Sequence, residues 1–135
     1  MAKSARDQSE YEHFPLRSFI GMDIDDIEPG HAITRVEVTE NLLNPNGVVH
    51  GGVMFTMIDT AMGKATMTSL GEGQFCASIE IHIRFLRPAG SGRLEAGASV
   101  IRPGRKIVHL ESHVRDGDGS LIATGTGTFA VISAP

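Results

Sequence analysis

Hydrophobic positions divide the chain into one helical stretch and several strand-like stretches. Apolar residues recur at helical spacing from Gly52 to Leu70, where Met54, Ile58 and Ala65 share one stripe of the helix. Elsewhere apolar and polar residues alternate, as in a strand with one buried face. The alternating segments are residues 22–27 and 32–38 before the helix, then 76–86, 94–101, 107–115 and 122–132 after it.

The connections between these strands are short, whereas parallel crossovers need about a dozen residues or more, so the pattern favours an antiparallel meander. We therefore predict an α+β fold with an antiparallel sheet of five to six strands and one long helix. Residues 1–21 form an N-terminal lead-in segment, and residues 22–135 form the domain. Within the lead-in, residues 10–20 suit a short helix whose start is restricted by Pro15.

One helix is too little to cover both faces and both edges of such a sheet. An exposed edge strand presents unpaired backbone N–H and C=O groups, which readily pair with another chain. The pattern therefore predicts a homodimer.

Composition narrows the functional classes. The 135 residues carry a formal net charge of −4, which gives no support to nucleic-acid binding through a basic face. No segment approaches the roughly 20 apolar residues of a membrane span, and the N-terminus lacks the apolar core of a signal peptide.

Cys76 is the only cysteine, which is typical of a reducing compartment, and its apolar neighbours favour a small buried residue. We expect a soluble cytoplasmic protein without nucleic-acid or membrane partners.

Several catalytic classes find no support. Strand alternation and distance give no evidence that His82, His109 and His113 converge with a pair of carboxylates, so we expect no metal site. The chain also lacks a Gly-x-Ser-x-Gly elbow, a phosphate loop with Lys and a dinucleotide fingerprint. This argues against a hydrolase with a serine nucleophile.

The segment from Asn44 to Asp59 combines the start of the helix with candidate chemistry. Gly51 and Gly52 open the helix, where backbone N–H groups lack intrahelical partners and the helix dipole favours negative charge. Such a position suits the oxyanion that forms when a thioester carbonyl becomes tetrahedral. Asp59 follows Gly51 by eight residues, roughly 12 Å along a helix, so a partner subunit must supply one half of a joint site. From spacing alone, two alternatives stay open: glycines that merely permit a tight turn, and an ordinary polar residue at position 59.

A helical wheel places Asp59 at the edge of the apolar stripe, beside Phe55 and Met62. An acid there is partly shielded from water. Thr60 and Lys64 fall on the opposite, polar side.

Three strings carry a family resemblance. The string HGGVMFTMIDTAMGKA follows an N-x-x-G pattern at Asn44 and Gly47, SIEIHIRFLRPA begins at Ser78, and GSLIATGTGTFAV lies near the end of the chain. Together they resemble the phenylacetic-acid-degradation type of hotdog thioesterases. The resemblance implies a hotdog fold, in which the sheet wraps around the long helix. It also implies an acyl-CoA thioesterase, a homodimer that pairs into a homotetramer, and no cofactor apart from the coenzyme A of the substrate.

The resemblance also implies roles for four residues. Asn44 and Gly51 of one subunit would bind and polarise the thioester carbonyl. Asp59 of the other subunit would act as general base or as nucleophile, and the sequence does not separate these routes. His50 would hold the Asn44 loop in place rather than transfer protons.

Some family members position the attacking water with a Thr or Ser one turn after the helix acid. That position is Gly63 here, which has no side chain to do so. Ser78, the first residue of the polar face of the following strand, matches the alternative position. The competing interpretation is a plain strand serine.

Different residues are expected to bind the two parts of the substrate, the acyl group and coenzyme A. The acyl group, of the aryl or medium-chain type, would contact Phe55, Met54 and Met62, although the methionines equally suit an ordinary core. Gly52 is a further candidate for binding the substrate or coenzyme A. Basic residues would hold the phosphates of coenzyme A, although a charged turn is more often only solvated. These candidates are Arg84, Arg87, Arg102, Arg105 and Lys106.

Two other functions remain as alternatives. One is a non-catalytic module that binds or senses acyl-CoA, against which the joint presence of Asn44, Gly51 and Asp59 argues. The other is a hotdog hydratase acting on enoyl-CoA, whose different Asp and His loop pattern is not found in this chain.

Overall fold

A computed structural model describes residues 13–133 of the chain. A short 3₁₀ turn, Glu40–Leu42, precedes the loop that leads into the long helix. The two helices are α1 (Pro15–Ile20) and α2 (Gly51–Met67), and the six strands are β1 (Met22–Glu28), β2 (His31–Glu37), β3 (Gln74–Phe85), β4 (Arg93–Pro103), β5 (Ile107–Arg115) and β6 (Leu121–Ser133).

The six strands form one antiparallel sheet in the order β1-β2-β4-β5-β6-β3. The predicted α+β class and strand positions are confirmed, but the simple meander is wrong, because β3 pairs with β6 rather than with β4. Because the sheet curls, the short connection after β3 does not turn back to a neighbouring strand. It crosses one end of the curled sheet to reach β4. Ala89 in that connection is buried, and its carbonyl accepts a 2.7 Å hydrogen bond from the Val49 N–H, just before α2.

Helix α2 fills the concave side of the sheet and contacts all six strands. Where it packs against β6, glycines take the place of larger side chains. A methyl group built on Gly127 would lie 2.5 Å from the Met62 sulfur, and one on Gly125 would lie 3.4 Å from Ile58 Cγ2. On the other side, the buried Thr34 hydroxyl of β2 donates to the Met57 carbonyl at 2.9 Å. The helix position is therefore fixed from both sides.

The second half of α2 is buried on all sides, which the predicted stripe did not anticipate. Lys64, expected on the polar side, is only 4% exposed, and Thr66 is fully buried with its hydroxyl bonded to the Met62 carbonyl. A wheel assumes that one face meets solvent, whereas a sheet that curls around the helix leaves no such face here.

The lead-in helix begins at Pro15 and ends before Gly21, which adopts the left-handed conformation (φ 67°) typical of a helix cap. Pro15 at the first helical position needs no N–H partner, so it starts the helix rather than interrupting it. Residues 10–12 of the predicted segment lie outside the described residues, as do residues 1–9 and 134–135.

Strand β3 lies at one edge of the sheet and is exposed along most of its length. Strand β5, by contrast, alternates strictly between exposed and buried residues. Along and just beyond β3, Ile79, Phe85 and Leu86 are each about half exposed. A long edge strand with exposed apolar side chains on it is unusual in a protein that functions as a monomer.

Cys76 on β3 is half-buried, and its sulfur lies 3.7 Å from the Gly63 carbonyl of α2. This agrees with the expected packing residue. Among the described residues, no helix is long and apolar enough to span a membrane.

The close contact between α2 and β6 predicts that Gly127→Ala destabilises the protein. The added methyl group must displace Met62 within a packed core, and overpacking of this kind costs about 1–3 kcal/mol. Gly117→Ala is the matched control, because a methyl group there has no neighbour within 4 Å. Denaturant unfolding of the two variants and the wild type measures the difference. Equal stability of the two variants would contradict the packing described.

Candidate active site

The start of α2 is capped by the side chain before it. His50 is the N-cap, and its Nδ1 accepts a 2.8 Å hydrogen bond from the Gly52 N–H. The imidazole proton of neutral His50 therefore lies on Nε2. The His50 backbone N–H donates to the Leu42 carbonyl at 2.9 Å, which ties the helix start to the preceding turn. The histidine thus has a structural role, and the Gly52 N–H is already used by the cap.

The Gly51 N–H remains available at the same helix terminus. As the first helical residue, Gly51 has no intrahelical acceptor for this N–H. Among the described residues, the Gly51 N–H has no other acceptor either. A free N–H at the positive end of a 17-residue helix can donate to an oxyanion.

The loop before the helix orients the Asn44 side chain. Its Oδ1 accepts hydrogen bonds from the backbone N–H groups of Asn46 at 2.9 Å and Val48 at 3.4 Å. The Asn44 backbone N–H donates to the Val48 carbonyl at 2.7 Å, and Gly47 closes the turn with a φ of 78°. Because the amide oxygen is occupied within the loop, the amide NH₂ is the group left to face outward.

Asn44 and Gly51 line the same pocket, so the structure brings together the two residues predicted to bind the carbonyl. The pocket has a volume of about 330 Å³ and is mostly apolar. Beside Asn44 and Gly51, its lining consists of Val48, Val49, Met54, Phe85, Leu86, Arg87 and Pro88.

Phe85 is one of the pocket residues that sequence reasoning missed. It is the last residue of β3 and pairs with Ala123, and its ring lies directly over Gly51. In the sequence, the available signal for Phe85 was its position at the end of the strand motif, just before the connection to β4. Without the strand order, however, that position could not be related to the helix start.

Asp59 lies away from this pocket on the same helix, and it is half-buried. Burial raises the pKa of the Asp59 carboxyl above its ordinary value. No charged partner compensates the carboxylate among the described residues. An isolated, partly desolvated carboxylate is a strong candidate for a catalytic group.

A β-bulge decides which face of β3 carries Ser78. Ser78 pairs with Phe129 and Glu80 pairs with Thr128, so Ile79 is the extra residue. Strict alternation would have put Ser78 on the polar face with Glu80, as we expected. The bulge instead puts Ser78 on the helix side, because its partner Phe129 is buried in the core.

The register also relates Ser78 to Asp59. Along β3, Phe85 lies over Gly51 at the start of α2, whereas Cys76 contacts Gly63 twelve residues later. The strand therefore runs antiparallel to the helix. Ser78 on the strand and Asp59 on the helix both lie between these two contacts, towards the Cys76 end.

The basic candidates lie in three places. Arg87 lines the pocket with Asn44 and Gly51. Arg84 lies on the outer face of the sheet, where it lines a broad polar groove of about 670 Å³ with His113 and Glu111. The turn from Arg102 through Arg105 to Lys106 lies near the Cys76 end of β3, because the Lys106 carbonyl accepts from Val131, the residue paired with Cys76.

The residues predicted to bind the acyl group also lie in different places. Phe55 is 41% exposed on the outer side of α2, while Met62 is fully buried against Gly127 and belongs to the core. Neither lines the Asn44–Gly51 pocket of its own chain, but Met54 does.

Histidines and carboxylates do not converge on a metal site within residues 13–133. His82 and His113 line the outer groove rather than the Asn44–Gly51 pocket. Burial, together with the nearby Arg115, lowers the pKa of His113, so its neutral form is favoured.

Comparison with known proteins agrees with this architecture. The model of the thioesterase superfamily matches residues 46–123, more than half of the chain. A 1,4-dihydroxy-2-naphthoyl-CoA hydrolase of Listeria monocytogenes is 28% identical, over 86% of this chain and 94% of the relative.

Two solved structures share the fold. The PaaI protein of the E. coli phenylacetic acid degradation operon superimposes with a TM-score of 0.86 at 25% identity, covering 96% of this chain and 92% of that one. A thioesterase of Haemophilus influenzae gives a TM-score of 0.87 at 25% identity, covering 98% and 93%. The predicted hotdog fold is confirmed.

The raised pKa of Asp59 predicts a pH-dependent gain in stability for Asp59→Asn. Because the folded state holds the proton more tightly than the unfolded chain, wild-type stability falls as pH rises from the ordinary carboxyl pKa through the raised one. Above that window, Asp59→Asn should be more stable than the wild type by about 1 kcal/mol, a typical cost of an unpaired buried polar group. Below it, the two should converge.

Thermal unfolding across acid to neutral pH measures this difference. Asp118→Asn, which changes an exposed carboxylate in the β5–β6 turn, is the control and should follow the wild type throughout. A wild type as stable as Asp59→Asn at neutral pH would show that the carboxylate is compensated.

Proposed function

Because the chain belongs to the thioesterase superfamily, we propose that it is an acyl-CoA thioesterase whose two active sites are each shared between the subunits of a homodimer. The observation that carries this proposal is the separation of the candidate groups along α2. Gly51 and Asn44 lie at the start of the helix. Asp59 lies further along the helix, and Ser78 lies on β3 at the level of these later turns.

Pairing of two β3 edges brings these halves together. Antiparallel pairing around a two-fold axis sets the Phe85 end of one strand beside the Cys76 end of the other. Since the Phe85 end marks the start of α2 and the Cys76 end its later turns, Gly51 of one subunit approaches Asp59 of its partner. Ile79, an exposed apolar residue of β3, becomes buried by the same contact. We further propose that two such dimers pair into a homotetramer.

In this arrangement the thioester carbonyl accepts hydrogen bonds from the Gly51 N–H and the Asn44 amide NH₂. Both donors become more effective as negative charge develops on the oxygen in the tetrahedral intermediate. The dipole of α2 acts in the same direction. The Gly51 N–H does this without competition, because His50 binds only the adjacent Gly52 N–H.

Asp59 supplies the nucleophilic half of the reaction. Its carboxylate either removes a proton from water as the water oxygen attacks the carbonyl carbon, or attacks that carbon itself and forms an anhydride that water then hydrolyses. Either route breaks the carbon–sulfur bond and releases a free acid and the thiol of coenzyme A. Both need the ionised carboxylate, so acidification through the raised pKa of Asp59 removes activity.

Ser78 is proposed to position the attacking water. The β-bulge turns it towards the helix side of β3, the side on which Asp59 lies. A hydroxyl can accept from water while the carboxylate takes the departing proton. Gly63, one turn after Asp59, has no side chain for this role.

Substrate binding follows from the same dimer. The acyl group, of the aryl or medium-chain type, enters the apolar pocket beside Met54. Arg87 at that pocket and the basic turn from Arg102 to Lys106 are the residues proposed for the phosphates of coenzyme A. Arg84 faces the outer groove, so it is the weakest of the five basic candidates.

Mixed dimers test the shared site directly. Asn44→Ala and Asp59→Asn should each lower kcat by about 100-fold or more, since each removes an oxyanion donor or the base. After the two variants are unfolded together and refolded at equal amounts, about a quarter of wild-type activity should return, because half of the two-fold dimers are mixed and each mixed dimer has one intact site.

The control is the mixture of Asn44→Ala with the double variant Asn44→Ala/Asp59→Asn, which contains no intact site and should stay inactive. Thiol release from acyl-CoA measures all mixtures. No recovery in the first mixture, although mixed dimers are present by mass, would rule out a site shared between subunits.

A further inference from the structure

The glycine at position 51 is not required by its backbone conformation. Six glycines of the described chain have positive φ, and Gly51 is not among them. It is instead the first residue of α2, where other residues fit equally well. Another constraint must act at this position.

That constraint is the ring of Phe85. A methyl group built on Gly51 would lie 2.9 Å from Phe85 Cζ, 3.2 Å from Cε1 and 3.4 Å from Cε2. The para end of the ring therefore rests on Gly51, and, apart from the neighbouring residues and the backbone of the same helix, the three atoms nearest to the added methyl group all belong to Phe85. At Gly52 the corresponding neighbour is His50 Nδ1, at 3.0 Å. The two adjacent glycines accommodate two different neighbours, the ring and the helix cap.

The placement of Phe85 also affects the N–H group that it covers. The ring is 52% exposed, so it is held at its para end and remains open to the pocket shared by Asn44, Met54 and Arg87. An apolar ring beside a hydrogen-bond donor excludes water from one side of it, and a hydrogen bond is stronger where water is excluded. It also limits the directions from which a carbonyl can approach.

We propose that Phe85 is a positioning residue that covers Gly51, shields its N–H from water and leaves the Asn44 side as the only approach for the thioester carbonyl. This inference rests on the proposed function, because it assigns the Gly51 N–H to the oxyanion. It adds a residue outside the Asn44, Gly51 and Asp59 set. It also explains why position 51 is a glycine.

Kinetics of Phe85 variants test the catalytic part. Phe85→Ala should lower kcat for acyl-CoA about ten- to a hundredfold, less than the loss of about 100- to 1,000-fold from removing an oxyanion donor. KM should change much less than kcat. Phe85→Leu keeps an apolar cover and should restore most of kcat, whereas Phe85→Tyr adds an oxygen at the para position, against Gly51, and should not. Ile27→Ala on β1, the opposite edge of the sheet, is the control.

A double-mutant cycle tests the contact itself. Gly51→Ala should lower kcat in the wild-type background, because its methyl group displaces the ring. In the Phe85→Ala background the same substitution should cause little further loss. The cycle is measured in parallel by thermal unfolding, where Gly51→Ala should be less favourable with Phe85 present than without it.

The outcomes separate this inference from the proposed function. A wild type that hydrolyses no thioester overturns the proposed function and with it the catalytic role of Phe85, while coupling in unfolding still tests the contact. An active wild type whose kcat survives in Phe85→Ala overturns the positioning role alone. Equal effects of Gly51→Ala in both backgrounds would show that the ring does not constrain position 51.

Discussion

A single helix must fill the concave side of a six-stranded sheet, and the rest of the structure depends on that contact. The sheet curls around α2 closely enough to bury the second half of the helix on all sides. Gly125 and Gly127 on β6 make the close approach possible, and Thr34 fixes the helix from β2. The axis of α2 is thereby held, and with it the positions of Gly51 and Asp59.

The same constraint leaves one edge of the sheet unprotected. The helix occupies the concave face, so nothing in the described chain covers β3, whose exposed apolar residues suit a second copy. Because β3 runs antiparallel to α2, the proposed pairing of two β3 edges would place the helix start of one subunit near the later helix turns of the other. Stability and catalysis would then depend on one interface. Burial raises the pKa of the half-buried Asp59 carboxyl, which is consistent with this, since catalytic groups often cost stability.

The sequence was informative where local patterns decide the structure. Alternation located every strand. The spacing from Gly51 to Asp59 predicted that these residues can share a site only across two subunits, which stays a prediction. It was uninformative where long-range pairing decides. The β-bulge at Ile79 reverses the face of Ser78 relative to Arg84, and no local signal marks the bulge. The crossing after β3, which brings Arg87 and Phe85 to the helix start, depends on the order of strands in the curled sheet. Lys64 is buried because the curled sheet surrounds the second half of α2.

The most direct measurement is the release of free thiol from a panel of CoA esters, with phenylacetyl, hydroxybenzoyl, short-chain and medium-chain groups, by the wild type and Asp59→Ala in parallel. Sedimentation of both proteins establishes their assembly state. The account predicts turnover by a dimeric or larger wild type, with a loss of several orders of magnitude in an equally assembled Asp59→Ala. Coenzyme A binding without turnover of any ester would contradict it and indicate a binding or sensing module.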